Sequence, residues 1–490
     1  MTANTALPST TSLSAKLYYG VGAIAYGIKD NGFSYLLLIY YSQVLGLSQN
    51  LVGTGIFIAL LIDALTDPIV GSASDNLHSR LGRRHPFMYA SALPVAVCYF
   101  FLWSPPAGLV GAELFAYFVT LAVLVRICIT FYEIPSSALV AELTDDYHQR
   151  TIFLSLRHFF GWWGGLCMAV LAFAVLLVPT DEYPVGVLNP EGYQTYGAIT
   201  SVLIFMAILL STLGTHKYIP QLRKPPQTGY PPIRTIASQT FETLRERSFL
   251  ALFVSAMFGA LAAGMSASMS VYINTFYWEL DNEQIALITS TLFGSAVVAL
   301  FLAPRVSRKL GKKKAAICLG IASALLSPLP ILLRVLGVFP DNGTSELFYS
   351  LMVYQFLEVI LIISTAITVD SMIADIVEQS QLRTGRRSEG VFFAARSFVR
   401  KSVSGVGVLM ATTLLTIIDF PKGAQPGAVP AEAVSNLGLL YAPTSFFVYS
   451  LAIAAIFAYQ ISKEVHESNL EMLASKAELD LPETSPTAIL

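Results

Sequence analysis

Charge is scarce in this chain. Only 13% of its 490 residues are Asp, Glu, Lys or Arg, about half the share of ~25% usual in soluble domains. The 30 basic and 32 acidic residues nearly cancel, and no nucleic-acid partner is expected. Cysteine is equally sparse. Cys98, Cys128, Cys167 and Cys318 form no CxxC or Cys/His cluster, and all lie in apolar runs, so disulfide and metal roles give way to buried packing. The histidines are scattered through loops and run ends, apart from His158 beside Arg157. No Ser/His/Asp constellation, HExxH or phosphate-binding loop occurs, so neither enzymatic activity nor a cofactor is expected. The opening MTANTALPSTTSLSA lacks a basic region leading into a short apolar core, and no removable leader is expected.

What is abundant is apolar length. Hydrophobic residues make up 54% of the chain and the mean hydropathy is +0.61, which marks a polytopic membrane protein. Runs suited to spanning helices fall at 17–46, 50–73, 87–104, 110–141, 152–178, 195–214, 248–276, 283–303, 314–336, 345–374, 389–418 and 437–461. The expected fold is therefore all-α, with about twelve transmembrane helices in two six-helix bundles. The units are a cytoplasmic tail (1–15), a first bundle (16–215), a polar, proline-rich linker (216–247), a second bundle (248–461) and a polar tail (462–490) that cannot bury a core. Placing the N-terminus inside puts Arg80, Arg83, Arg84, Arg150, the 305–314 cluster, Arg383, Arg386 and Arg387 on the same side. By the positive-inside rule both termini are cytoplasmic.

The halves echo one another. DNLHSRLGRRHPF comes after the second run and APRVSRKLGKKKAA after the eighth; AELTDDYHQRT comes after the fourth and ADIVEQSQLRT after the tenth. Both matches have offsets near 230 residues, as a duplicated six-helix unit requires.

Two acids carry the functional argument. Asp63 and Asp67 stand one helical turn apart within FIALLIDALTDPIVG, where each charge costs roughly 2.5–3.5 kcal/mol on insertion scales. A bound Na⁺ or Li⁺, or a shared proton, would compensate them, and so would ion pairs made for packing alone. Arg126, Thr130 and Glu133 keep the spacing of a single helix face in the fourth run. Arg126 is read either as a clamp for a solute carboxylate or phosphate, or as the partner of Asp30 or Glu133. Glu358 and Asp370 are read as structural partners of Arg396 and Arg400. Glycines 20, 22, 27, 161, 164 and 165 are expected to permit close helix contacts.

KLYYGVGAIAYGIKDNGF, IDALTDPIVG with LGRRHPF, EIPSSALVAELTDD with a following RT, and DIVEQSQLRTGRRSEGVFFAARSFVRK together resemble the glycoside-pentoside-hexuronide:cation symporters of the major facilitator superfamily, the group that includes the melibiose:sodium symporter. The resemblance runs from about Lys16 to the end of the twelfth run. It implies a cation site at Asp63 and Asp67 with Thr66, Thr130 and Lys401, and a sugar pocket that Glu133 and Arg157 join. The sequence also departs from the pattern. The acid expected on the first helix aligns with Gly27, leaving Asp30 about one turn later; the sugar-stacking tryptophan aligns with Ser137, and a tyrosine with Ile129. Tyr132, Trp162 and Trp163 are the nearest aromatic substitutes.

The expected function is cation-coupled (Na⁺ or H⁺) symport of a sugar, glycoside or hexuronide by alternating access. A lysophospholipid or other amphipathic solute symporter is the alternative within transport, and a transport-inactive membrane sensor the alternative outside it. The protein is expected to be a multi-pass monomer of the plasma membrane, or inner membrane in a bacterium, meeting solute, cation and lipid. Asp75, Arg83, Arg84, Glu142 and Asp375 are expected to gate the cytoplasmic side through ion pairs across the halves.

Overall fold

The computed structural model describes residues 12–144, 146–222, 247–384, 389–460 and 472, without the side chains of 147, 148, 221, 374, 377–384 and 389–397. Most of the central linker, the tail after 460, and the expected roles of Glu378, Arg383, Arg386, Arg387 and the Arg396 side chain lie outside the described residues.

Apolar length becomes helix throughout. The first bundle holds α1 (Leu13–Val21), α2 (Ala23–Asn31), α3 (Gln49–Asn76), α4 (His85–Trp103), α5 (Gly111–Leu143), α6 (Tyr147–Leu171) and α7 (Pro190–His216). The second holds α8 (Arg247–Tyr272), α9 (Asn282–Leu310), α10 (Lys312–Leu326), α11 (Leu329–Val335), α12 (Ser345–Thr384), α13 (Glu389–Ile417) and α14 (Ala431–Ile456). Among the described residues, 11 helices are long and apolar enough to cross a membrane. The twelfth expected span, the first in the chain, is broken instead. After α2 the chain winds as π-helix over Gly32–Leu36 and again over Tyr40–Val44.

Helix ends obey local chemistry rather than hydropathy alone. Asn189 caps α7 from its side chain and Pro190 supplies the first turn, so the helix starts before the apolar run at 195. Asp281 and Gln284 form a reciprocal capping box on α9. α14 begins at Ala431, ahead of the apolar run at 437, because Pro430 sets the start of a polar first turn. In the matched turns, Gly82 and Gly311 both take positive φ, +73° and +77°, a conformation open to glycine that ends one helix and admits the next.

Each half packs chiefly on itself. In the first, α2 lies on α6, α3 on α5 and α4 on α7; in the second, α8 lies on α13 and α14, and α9 on α12. Between them α3 meets α13 and α6 meets α9. Hydrogen bonds define two faces. Ser12 meets Tyr218, His85 meets Thr215, and Lys313 meets the Phe457 and Tyr459 carbonyls on the face bearing the chain ends. On the far face the halves are stitched together. Ser42 Oγ lies 2.5 Å from Tyr272 Oη, and Gln43 Nε2 donates to Tyr272 Oη and to the Pro421 carbonyl, both at 3.2 Å. The Ala424 N–H donates to Gln43 Oε1 at 3.0 Å, Gln49 Nε2 to the Phe420 carbonyl at 3.0 Å, and Asn282 Nδ2 to the Leu177 carbonyl.

Packing also corrects the expected burial of cysteine. Cys98 and Cys128 are half-buried, whereas Cys167 and Cys318 are exposed on their helices. In a membrane-spanning helix an apolar thiol meets lipid as readily as core, so low polarity does not select a buried position.

Candidate functional site

The two acids of α3 lie at the junction of the bundles. Asp63 is fully buried. It accepts from Arg126 Nη1 at 3.1 Å and from Thr130 Oγ1 at 2.9 Å, and lies 3.2 Å from Lys401 Nζ. Asp67 faces Lys401 Nζ at 2.6 Å and Thr130 Oγ1 at 3.2 Å. The Thr130 hydroxyl also lies 3.0 Å from the Arg126 carbonyl. Its single proton serves one of these acceptors at a time. Lys401 comes from α13, so the carboxylates of one half are neutralised by an ammonium of the other.

The network extends along the first span. Lys29, 1% exposed, holds Asp30 at 2.7 Å, and Arg126 Nη1 lies 3.8 Å from the same Asp30 oxygen. Arg126 also sits over the Phe33 ring, 4.5 Å from its centroid. Lys29, Arg126 and Lys401 therefore balance Asp30, Asp63 and Asp67, and the arrangement is neutral as it stands. Of the two readings of Arg126, the geometry provides the internal ion pair. Lys29 and Phe33 were missed in the sequence, although an adjacent Lys-Asp pair inside a span was a signal for the former. Pro68 was missed too. Lacking an N–H, it frees the Ala64 carbonyl from the helix ladder one turn from both acids.

Not every candidate side chain faces this junction. Thr66 Oγ1 donates to the Asp63 carbonyl at 3.0 Å and Ser137 Oγ to the Ile134 carbonyl at 2.8 Å, each within its own helix. Arg157 is buried, donating to Ser136 Oγ at 2.9 Å and to the Glu133 carbonyl at 3.1 Å beneath the Tyr26 ring. It braces the α5 backbone that carries Glu133. Glu133 Oε2 is buried and accepts no hydrogen bond, leaving an unmet acceptor one turn from Thr130. Asp30 keeps 52% of its side chain exposed, and Trp162 is 39% exposed. Trp163 stacks on Phe159 and meets Phe293 of α9 at 4.7 Å, which ties it to packing between the halves. Glu358 is buried without an ion pair among the described residues, so the expected partnership with Arg400 is not formed.

The departure at Gly27 has a physical basis. A Cβ there would lie 2.0 Å from the Gly161 carbonyl, and one on Gly165 2.4 Å from the Gly27 carbonyl. The backbones of α2 and α6 touch at these glycines. No acid fits at 27, and the nearest one stands at Asp30.

The expected gate needs correction. Arg83 Nη2 and Arg84 Nε reach Glu142 Oε1 at 2.8 and 2.5 Å, and Arg84 Nη2 reaches Asp75 at 2.8 Å, all inside the first bundle. Lys312 meets Asp375 at 2.5 Å inside the second. These pairs run within halves because each basic turn comes directly after the positive-φ glycine and lies against the end of a helix of its own bundle. They are also equivalent by the internal repeat, Leu-Gly-basic with Ala-Glu in one half and Leu-Gly-basic with Ala-Asp in the other.

Comparison with known proteins gives one family. The model described as "MFS/sugar transport protein" matches residues 18–463. An uncharacterized symporter of Synechocystis sp. is 24% identical, covering 94% of this chain and 97% of the relative. The isoprimeverose transporter of Lactiplantibacillus pentosus is 21% identical over 92% of this chain and 89% of its own, and the lactose permease of Lactobacillus helveticus 24% over 92% and 69%. Among solved structures, a D-xylose-proton symporter superposes with a TM-score of 0.61 at 14% identity, covering 92% of this chain and 98% of that one.

Proposed function

The chain belongs to the MFS/sugar transport protein family, and from that premise we propose that it is a cation-coupled symporter of a sugar or glycoside, working by alternating access of its two bundles. The match and the relatives bear out the resemblance to the glycoside-pentoside-hexuronide:cation symporters, and the protein is a multi-pass membrane protein. With both termini cytoplasmic, the stitched far face is the outer one.

One observation carries the coupling proposal: Lys401 of the second bundle neutralises Asp63 and Asp67 of the first. A carboxylate pair buried in an apolar span must be compensated at every stage of transport. A Na⁺, Li⁺ or H⁺ arriving from one side takes over that role and releases Lys401, so cation occupancy and the contact between bundles exclude each other. The substrate reading uses the same geometry. The space beside Asp30 and Glu133 offers acceptors for hydroxyl groups, with Arg157 fixing the Glu133 backbone. Arg126 is held by Asp63 and stacked on Phe33, which favours a neutral sugar or glycoside over an anionic or zwitterionic head group. Reciprocal coupling between the two sites yields symport.

Asp63→Asn tests the reading. In vesicles, sugar accumulation driven by a Na⁺ or H⁺ gradient should disappear in the variant while downhill exchange of the same sugar persists. Undiminished concentrative uptake would sink the proposal.

A further inference from the structure

A cavity of about 260 Å³ lies inside the second bundle, enclosed by α8, α10, α12, α13 and α14. Its wall is mostly aliphatic, with polar side chains from Ser255, Ser323, Thr365, Tyr449 and Arg400. Arg400 immediately precedes Lys401, whose Nζ sits on Asp67, and it is exposed and close enough to act electrostatically on His158 of α6. The mouth of the cavity thus adjoins both the cation site and the space between the bundles.

Imperfect packing does not account for this volume. Interiors are close-packed, and a void of about 150 Å³ already holds benzene. Gly259 lies within α8 on the cavity wall, where a Cβ would meet nothing within 4 Å. Glycine disfavours the helix, and no neighbour here needs the room it leaves. Ser323, 3% exposed, lines the cavity with an Oγ that has no hydrogen-bond partner, an unsatisfied group of the kind that native interiors rarely keep. Arg400 pairs with no carboxylate among the described residues. A glycine holding space open, a hydroxyl without a partner and a cation at the entrance together describe a site with its ligand removed.

We infer that this cavity is an aglycone subsite, receiving an apolar group of phenyl or short-alkyl size from a glycoside whose sugar rests beside Asp30 and Glu133. The inference rests on the sugar-transport reading and extends it to a substrate class: glycosides with an apolar aglycone rather than free sugars. Arg400 donates to oxygen at the junction of sugar and aglycone, and Ser323 to an acceptor on the aglycone.

The test is calorimetric binding to the purified full-length protein of paired methyl and phenyl glycosides of glucose, galactose and xylose. For the sugar that binds, the phenyl glycoside should bind on the order of tenfold tighter than the methyl one, from the apolar area it buries. Gly259→Leu and Ser323→Leu should each abolish that advantage and leave methyl glycoside affinity unchanged, with Gly259→Ala, a single methyl added to open space, reducing it partially. Unaltered melting temperatures establish that the variants fold. A phenyl advantage that survives both leucine variants, or is absent from the wild type while methyl glycosides bind, overturns the subsite alone. Loss of a co-purifying acyl chain from Gly259→Leu, seen by native mass spectrometry with no phenyl advantage, reassigns the cavity to lipid and also overturns it. If no glycoside of either kind binds the wild type, the sugar reading falls and the subsite with it.

Discussion

Lys401 and Asp67 belong to opposite bundles, yet Nζ and Oδ2 stand 2.6 Å apart in the middle of the protein. The pair is largely withdrawn from water, with side-chain exposures of 11% and 16%. Removing one member of such a pair leaves an uncompensated charge, at a cost of about 3 kcal/mol when burial is nearly complete. Lys401→Ala should therefore lower the melting temperature in choline buffer and recover most of the loss in Na⁺ or Li⁺, whichever ion the carboxylates hold. Thermal melts in each salt check this. A variant equally unstable in every salt would separate Lys401 from cation binding.

Arg126 and Asp63 should behave as a unit. Arg126→Gln alone leaves the fully buried Asp63 with Lys401 and Thr130, and a loss of about 3 kcal/mol is expected. In Asp63→Asn/Arg126→Gln both charges go, and the double-mutant cycle should return a coupling energy of at least about 1 kcal/mol. The double variant is expected to recover stability in unfolding measurements without recovering cation-driven uptake. Additive losses would mean that the 3.1 Å contact contributes nothing.

Gly27 should tolerate no side chain. Gly27→Ala places a methyl 2.0 Å from the Gly161 carbonyl, against backbone that cannot turn aside, so α2 and α6 must separate. Overpacking of this kind costs about 1–3 kcal/mol. Gly27→Asp, which restores the acid expected from the family pattern, should be worse than alanine in yield of folded protein by size-exclusion chromatography.

Gln43 controls the far face. Its side chain donates to Tyr272 and Pro421 and accepts from Ala424, bonds worth about 0.5–1.5 kcal/mol each. Gln43→Ala should shift the balance between conformations toward opening on that side by roughly tenfold or more. A cysteine introduced at Gly46, where a Cβ meets nothing within 4 Å, in a background with the native cysteines replaced, should then react faster with an impermeant maleimide.

The sequence revealed most where membrane physics penalises alternatives. Spans were legible because apolar length has one meaning in lipid, and Asp63 and Asp67 because charge there must be compensated. The direction of the Arg83 and Arg84 pairs was not legible: the same charges satisfy a lock within a bundle or one between bundles, and only the position of the α5 end decides. The breaks in the first span were hidden for the opposite reason. GFSYLLLIYYS is apolar on every side, so no periodicity registers a wider turn. Ser255, Gly259 and Ser323 read as ordinary small packing residues, and a volume left empty has no signature in composition.

The π-helical turns carry a consequence for how this chain tolerates change in length. Tyr40–Val44 and Ile273–Tyr277 occupy matching places at the ends of the first helix of each half, and Ala172–Leu176 ends the span that α6 begins. Each such turn accommodates a residue more than an α-turn would. Deleting a single residue within 40–44 would let the turn relax to α-helical winding and rotate the downstream chain by about 100°, carrying Gln49 away from the Phe420 carbonyl it now reaches. A deletion elsewhere in a loop changes only reach; here it would change register, and the outer closure of the protein is keyed to that surplus residue.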